Sequence, residues 1–210
     1  MLVSTEGIVL RQFPFSDTSI IVKIFTRDYG LVGFIIKGAK SKKNAKAQLF
    51  KPVNLLAISF YQNENQGLKQ IREAQLLFAP EAQNFGVYKS AVTMFMVELI
   101  NHTVPEDSGQ PDIEKYNFIA SSIQYLRDHP LNAHFYLSFM YRYSGYLGIE
   151  IPLESDSGLE NLADYTHLVN LSWTKKERQA LFHSFERHYL ENLTQYKSLK
   201  SIDILNTILQ

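Results

Sequence analysis

The sequence predicts an α+β protein in which a small five-stranded barrel or sandwich comes first and a helical domain follows. Short runs rich in β-branched residues, separated by turn signals, fill the first 80 residues. After Pro80 the apolar residues recur at helical spacing instead. We therefore predict two domains, a β domain at 1–80 and a helical domain at 81–210.

Five segments of the first domain have strand character. The turn signal Asp28-Tyr29-Gly30 lies between the second and the third, which predicts a hairpin. A polar loop at 63–67 separates the last two. Five short strands within about 75 residues are typical of a small barrel or sandwich. The predicted strands are 7–10, 19–26, 31–37, 53–61 and 68–78.

Helical periodicity marks five segments of the second domain. His129-Pro130 ends the second of them, and Thr174 with Glu177 has the spacing of a capping box at the start of the fourth. Residues 149–172 lose the periodicity and gain acids, which predicts an irregular acidic insert. The helical segments lie near 92–100, 118–126, 131–147, 174–193 and 201–209.

Charge is divided unevenly between the two domains. Residues 1–80 contain 11 Lys and Arg against 5 Asp and Glu, a net of +6, whereas residues 81–210 contain 10 against 16, a net of −6. Each lysine placed near a phosphate releases a condensed counterion, so a basic excess indicates polyanion binding. The alternative is a loop that its charges merely keep solvated. The predicted DNA-binding residues are Lys37, Lys40, Lys42, Lys43, Lys46 and Lys51, together with Arg11.

Aromatic residues near the lysines favour the polyanion interpretation. Five-stranded barrels bind single strands in a basic groove where bases stack on exposed rings. We expect most of these rings to lie in the core and two or three to face a ligand. The rings are Phe13, Phe15, Phe25, Tyr29, Phe34, Phe60 and Tyr61.

The sequence contains no pattern typical of an enzyme. It has no Cys, its six histidines are scattered, and it lacks a P-loop, a nucleophile elbow and a GxGxxG run. Asp17 is interpreted as a turn former and not as a lone catalytic acid. We expect no metal and no cofactor. Because neither a signal peptide nor an apolar run of about 20 residues occurs, a cytoplasmic protein without a membrane partner is expected.

Taken together, several short motifs resemble the bacterial recombination mediator family RecO. They occur in the family's order and spacing over some 50 residues, and looser agreement extends over nearly the whole chain. The front motifs are 7–10, Phe13-Pro14-Phe15-Ser16-Asp17-Thr18-Ser19, Phe25-Thr26 with Gly30, Lys37-Gly38-Ala39-Lys40-Ser41 and 49–52, and the rear ones are Ser144-Gly145-Tyr146-Leu147-Gly148 and Leu199-Lys200-Ser201.

The resemblance implies an N-terminal OB-fold barrel and binding of single- and double-stranded DNA in the bacterial nucleoid. It also implies strand annealing and, with the partner RecR, loading of RecA onto strands coated by single-strand binding protein. Many members carry a four-cysteine zinc module where this chain has residues 149–172, which contain no Cys, so a metal is not implied here.

A partner site follows from the resemblance as a hypothesis. The expected partner segment is the tail of single-strand binding protein, which is acidic and also carries apolar side chains. The helix at 131–147 is dense in aromatic rings. We expect Arg142, beside Phe139 or Tyr143, to pair with a carboxylate of the tail while the rings contact apolar side chains. Two other functions stay open: a helical protein-interaction scaffold and an RNA-binding barrel protein.

Overall fold

A computed structural model describes residues 1–39, 46–62, 67–79, 86–104, 110–152 and 158–209. Its first part is a five-stranded sheet closed into a barrel in the order β1-β2-β3-β5-β4, which confirms the predicted OB-fold. The β2–β3 hairpin is also confirmed. The strands are β1 (Leu2–Pro14), β2 (Ile20–Thr26), β3 (Gly30–Ile36), β4 (Leu55–Tyr61) and β5 (Lys69–Phe78), with a short helix α1 (Lys46–Leu49) between β3 and β4.

β1 is much longer than the predicted strand at 7–10. Its first half pairs with β4, from Leu2 opposite Tyr61 onward, and its second half pairs with β2 as far as Pro14 opposite Ile20. A register shift after Val9 lies where one partner strand replaces the other. Both halves of β1 contain polar residues, so a search for runs of apolar residues finds only a short part of this strand.

The barrel core consists of apolar side chains that alternate along the strands. Val22, Ile24 and Phe34 are fully buried, and the rings of Phe34 and Phe60 meet edge to face with centroids 5.1 Å apart. Such alternation places the intervening residues on the outer surface of the barrel. The sequence of β2 and β3 therefore determines which side chains are available to a ligand.

The second part of the chain contains α2 (Gly86–Thr103), α3 (Ile113–Asp128), α4 (Phe135–Tyr146), α5 (Lys175–Asn192) and α6 (Ser201–Ile208). α3 ends before His129-Pro130, as predicted. The capping box of α5 is confirmed: Glu177 N–H donates to Thr174 Oγ1 at 3.3 Å, and Thr174 N–H donates to Glu177 Oε2 at 2.6 Å.

The chain folds into two compact units, Met1–Asn84 with Val104–Ser121 and Phe85–Thr103 with Ser122–Gln210. The first unit thus includes the start of α3 in addition to the barrel. Tyr116 on α3 is 2% exposed, and its ring centroid lies 6.2 Å from that of Phe25. Gly30 has a φ of +65°, and a Cβ there would lie 2.6 Å from the carbonyl oxygen of Gln110. These contacts explain why residues beyond position 80 pack within the first unit.

Much of the acidic insert is folded within the second unit. Two 3₁₀ helices, Leu159–Ala163 and Tyr165–Asn170, follow each other there. The Ser138 hydroxyl of α4 donates to the carbonyl oxygen of Leu162 at 2.6 Å. Buried hydrogen bonds of this kind attach the insert to the helices although its sequence has no clear periodicity. Within the described ranges, no helix is both long and apolar enough to cross a bilayer.

Candidate nucleic-acid interface

Two rows of side chains cross the outer surface of β1, β2 and β3. In the first row Arg11 lies opposite Lys23, and Lys23 lies opposite Gly33. Because Val22, Ile24 and Phe34 point into the core, the members of this row point outward. The row therefore presents two cations and a position without a side chain on neighbouring strands.

The second row is apolar and lies two residues further along the strands. Phe13 lies opposite Ile21, and Ile21 lies opposite Ile35. Two residues along a strand span about 6.8 Å, so the cationic row and the apolar row are close neighbours. Phe13 is 42% exposed. An elongated ligand with a charged edge and an apolar edge fits this arrangement.

Gly33 ends the first row without a side chain of its own, and the side chains of Leu68 and Lys23 lie close to it. A Cβ at this position would lie 3.7 Å from both Cδ and Cε of Lys23 and 3.0 Å from Cδ2 of Leu68. The aliphatic part of Lys23 consequently lies beside the glycine, in space that a larger residue would share. A side chain at position 33 would have to displace Leu68 and would restrict the path of Lys23.

The predicted lysines are only partly visible. Lys37 is exposed directly after β3, and Lys51 is half-buried just after α1. Lys40, Lys42 and Lys43 lie outside the described residues, and Lys46 begins α1 but its side chain also lies outside them.

Both ends of the lysine segment, residues 37–51, are anchored in the barrel. Ala39 and Phe50 are 2% and 3% exposed and belong to the barrel core. The side-chain amide of Asn54 donates to the carbonyl oxygens of Gln48 and Leu49 at 3.1 and 3.0 Å, which satisfies the end of α1. The segment thus starts and ends at defined points beside β3 and β4.

The backbone after α1 returns to β1 through an unusual conformation. Val53 is 4% exposed and has a φ of 71°, a region that β-branched residues rarely adopt. Its N–H donates to the carbonyl oxygen of Val9 at 2.8 Å, and Val9 N–H donates to that of Asn54 at 3.0 Å. These two bonds hold the base of the lysine segment at the point where β1 changes partners.

Three of the seven rings near the lysines are exposed. Phe13, Phe15 and Tyr61 are 42%, 57% and 48% exposed, whereas Phe25, Phe34 and Phe60 are buried. Phe15 stands on the turn between β1 and β2, which is closed by its own N–H donating to the carbonyl oxygen of Ser19 at 3.1 Å. Asp17 lies exposed in this same turn, as expected of a turn former.

Lys23 is the main surface residue that the sequence interpretation missed. It lies inside an apolar run and far from the other lysines in sequence. Its neighbours in alternation, Val22 and Ile24, are fully buried, which leaves Lys23 on the outer surface. The available signal in the sequence was the alternation of side chains along a strand, since a residue between two inward-facing β-branched residues must point outward.

The structure corrects the expected groove on α4. Phe139 and Tyr143 are fully buried, their rings stack with centroids 5.5 Å apart, and the Tyr143 hydroxyl lies 3.0 Å from Thr103 Oγ1. The guanidinium of Arg142 lies 4.4 Å from the ring centroid of Tyr165, and burial raises the pKa of that tyrosine. A central helix buries rings on several faces, so these two rings belong to the core and form no surface groove.

No metal centre is evident in the part of the chain that the structure describes. There, no group of three or more histidine, aspartate or glutamate side chains converges closely enough to hold an ion.

Comparisons with known proteins find one family over the barrel and over most of the chain. A family model described as the N-terminal part of recombination protein O matches residues 1–79. DNA repair protein RecO of Phocaeicola vulgatus is 30% identical over 151 residues, which are 71% of this chain and 62% of that protein. DNA repair protein RecO of Flavobacterium johnsoniae is 26% identical over an alignment of 239 positions that covers 99% of both chains.

Proposed function

This chain belongs to the RecO family of DNA repair proteins, and we propose on that basis that it is a non-enzymatic mediator of recombination. In this role it binds single- and double-stranded DNA, anneals complementary strands and helps to load RecA onto strands coated by single-strand binding protein. RecR is its partner in loading. The catalytic work belongs to RecA, so this chain needs binding surfaces and no reacting groups.

The observation that supports DNA binding most directly is the pair of rows on the barrel. Arg11 and Lys23 follow the phosphates of a strand, while its bases stack on Phe13 and pack on Ile21. In a duplex the bases are stacked inside, so the apolar row distinguishes single strands. The lysine segment contacts phosphates in either form.

Salt dependence tests the cationic part of this proposal. Arg11→Ala combined with Lys23→Ala should weaken binding of a labelled single strand, and the slope of log K against log salt should fall by about 0.7 for each phosphate that the variant no longer neutralises. Replacing Lys40, Lys42, Lys43 and Lys46 should act in the same way. Fluorescence anisotropy at several salt concentrations measures the slope.

A matched control comes from α5, where Lys175 and Lys176 are exposed. Their replacement by Ala removes the same charge as the Arg11 and Lys23 pair and should leave the slope unchanged. Equal losses in both double variants would mean that binding follows net charge alone, and the rows would not be the site.

The apolar row has its own test. Phe13→Ala should lose about 1–3 kcal/mol with a single strand if one base stacks on the ring, and it should lose little with a duplex. Equal losses with both forms would contradict stacking. Competition between DNA and RNA of equal length and sequence separates this function from an RNA-binding one.

A further inference from the structure

Two exposed aromatic rings lie next to each other on the same side of the β1–β2 hairpin. Phe13 lies opposite Ile21 of β2, and Phe15 N–H donates to the carbonyl oxygen of Ser19 at 3.1 Å, so both rings keep one register with β2. Residues two apart in such a ladder point to the same face. Phe15 therefore stands beside Phe13 on the outer surface, one step further from the cationic row.

Pro14 stabilises the separation of the two rings. Its own ring locks φ of residue 14, and a proline restricts the residue before it, here Phe13, to extended conformations. Beyond Phe15 the turn is closed by Ser19 N–H, which donates to Ser16 Oγ at 3.2 Å. The two aromatic positions are thus held about 6.8 Å apart, the length of two residues in a strand.

This separation matches one nucleobase stacked on both of its faces. Bases in a strand stack about 3.4 Å apart, so a base inserted midway between rings about 6.8 Å apart lies at stacking distance from each. Phe13 and Phe15 are 42% and 57% exposed. Beyond Val9, β1 pairs with β2 alone among the described strands, so no neighbouring described strand covers the other side of the two rings.

We propose that Phe13 and Phe15 form a clamp that holds a single unpaired nucleobase between their rings. The inference rests on the proposed DNA binding and adds to it a second stacking residue and a requirement for an unstacked base. A paired base inside a duplex keeps a neighbour on each face and so does not enter the clamp. A base of a single strand exchanges its two neighbours for the two rings.

The charges around the clamp select a nucleotide over an apolar side chain of a partner protein. Arg11 lies two residues before Phe13 on the same face, and Lys23 lies opposite Arg11. Asp17 stands exposed in the turn beyond Phe15. Cations at one end and a carboxylate at the other favour a phosphate beside Arg11 and an uncharged base between the rings.

Two other carboxylates of the barrel do not oppose this arrangement. Glu6 and Glu73 line a surface shared by β1, β4 and β5, where β1 pairs with β4. The clamp lies on the other half of β1, which pairs with β2. Seven residues of strand separate Glu6 from Phe13, roughly 20 Å, which exceeds the Debye length of about 8 Å.

The test uses the full chain and a labelled oligothymidine of about 12 nucleotides, a length within the site sizes of small barrels. Fluorescence anisotropy gives Kd. Phe15→Ala should raise Kd about fivefold or more, the smallest loss expected for one stacked base. Phe15→Trp keeps an aromatic ring and should retain affinity close to that of wild type. A duplex of the same length should bind wild type and Phe15→Ala equally.

Two controls separate stacking from general effects of an exposed ring or of charge. Tyr88→Ala on α2 removes a ring that is 56% exposed in the other compact unit, and it should leave Kd unchanged. An oligonucleotide of the same length without bases keeps its phosphates. Wild type should bind it about as weakly as the variant without Phe13 and Phe15 binds oligothymidine.

Combining Phe13→Ala with Phe15→Ala shows whether both rings hold the same base. Ordering one base costs free energy once, and a single remaining ring offsets that cost less well than two rings do. The combined variant should therefore raise Kd by less than the product of the two single factors. A loss equal to that product would show two independently bound bases and would overturn the clamp.

An unchanged Kd in Phe15→Ala would also overturn the clamp. So would equal affinity of wild type for strands with and without bases, which would leave an apolar side chain of a partner as the occupant. In these outcomes the salt-dependent loss in Arg11→Ala combined with Lys23→Ala would persist. Absence of that loss would instead refute the proposed DNA binding on the rows, and the clamp with it.

Discussion

Glu98 of α2 holds the start of α6 in place, and removing it tests how the helical unit is assembled. Its carboxylate accepts hydrogen bonds from the N–H of Lys200 at 2.9 Å, the N–H of Ser201 at 2.8 Å and the hydroxyl of Ser201 at 2.5 Å. The first N–H groups of a helix have no partner within the helix, so Glu98 acts as an N-cap supplied by another helix.

The cost of Glu98→Ala follows from these hydrogen bonds. Loss of an N-cap costs about 1 kcal/mol, and hydrogen bonds to a charged group contribute about 1.5–3 kcal/mol each but not additively. Since the carboxylate is partly solvated, we expect about 2 kcal/mol in total. For a chain of 210 residues this lowers Tm by roughly 4–8 °C. Hydrogen exchange in Ser201–Ile208 should accelerate roughly 30-fold.

The pH dependence gives an independent check. Burial raises the pKa of Glu98, but the hydrogen bonds from Ser201 and Lys200 outweigh burial, so the pKa lies below its ordinary value of 4.5. A depressed pKa in the folded state means that the stabilisation is complete above that ordinary value and is lost as pH falls through the folded value. Glu98→Gln should therefore show a smaller loss of stability than wild type between about pH 5 and pH 3.

Glu191→Ala is the matched control, because this exposed glutamate of α5 should change Tm by no more than the small amount typical of surface sites. If exchange in α6 stays at the wild-type rate in Glu98→Ala, the carboxylate is not its cap and the argument fails.

Three further changes test other parts of the fold. A Cβ in Gly7→Ala would collide with Ile24 inside the barrel, so urea unfolding should show a loss of about 1–3 kcal/mol. Ser138→Ala leaves the buried carbonyl of Leu162 without its donor and should cost about 1–3 kcal/mol, with faster proteolysis of the acidic insert. Burial and the nearby Arg178 charge lower the pKa of His134, so wild type should lose stability as pH falls below about 6.5, and His134→Asn should lose less over about pH 7–5 in thermal melts.

Much of the barrel could be predicted because its signals are local. The β-branched run of β2, the turn at Asp28-Tyr29-Gly30 and the run of β3 are contiguous in sequence. The extent of β1 could not be predicted in the same way. It depends on pairing with β2 on one half and β4 on the other, and neither partner is visible from the residues of β1 alone.

The surfaces were harder to predict than the strands for a related reason. The lysine segment is conspicuous because its charges are clustered, whereas Lys23 is isolated in sequence and meets Arg11 only through strand pairing. On α4 the opposite error was made, because residues that were predicted to lie at the surface are buried. Rings such as Phe139 and Tyr143 suggested a groove, but the helix lies among other helices and buries them.

The Leu199-Lys200-Ser201 motif gains a physical explanation from the same helices. Leu199 is 3% exposed, and its N–H donates to Glu186 Oε1 of α5 at 3.2 Å. The two following residues donate to Glu98 of α2. One short segment is thus fixed by two glutamates on two different helices, which gives this motif a part in the assembly of the helical unit.

A net charge of zero is compatible with DNA binding because charges act locally. At physiological ionic strength the Debye length is about 8 Å, so a phosphate senses the side chains near it and little of the rest. The proposed contact of a DNA strand with β1 and β2 therefore depends on Arg11 and Lys23 and little on the net charge of −6 in residues 81–210. The same screening confines the carboxylates of Glu6 and Glu73 to their own face of the barrel. One small barrel can consequently carry a cationic face that suits DNA although the whole chain has no net charge.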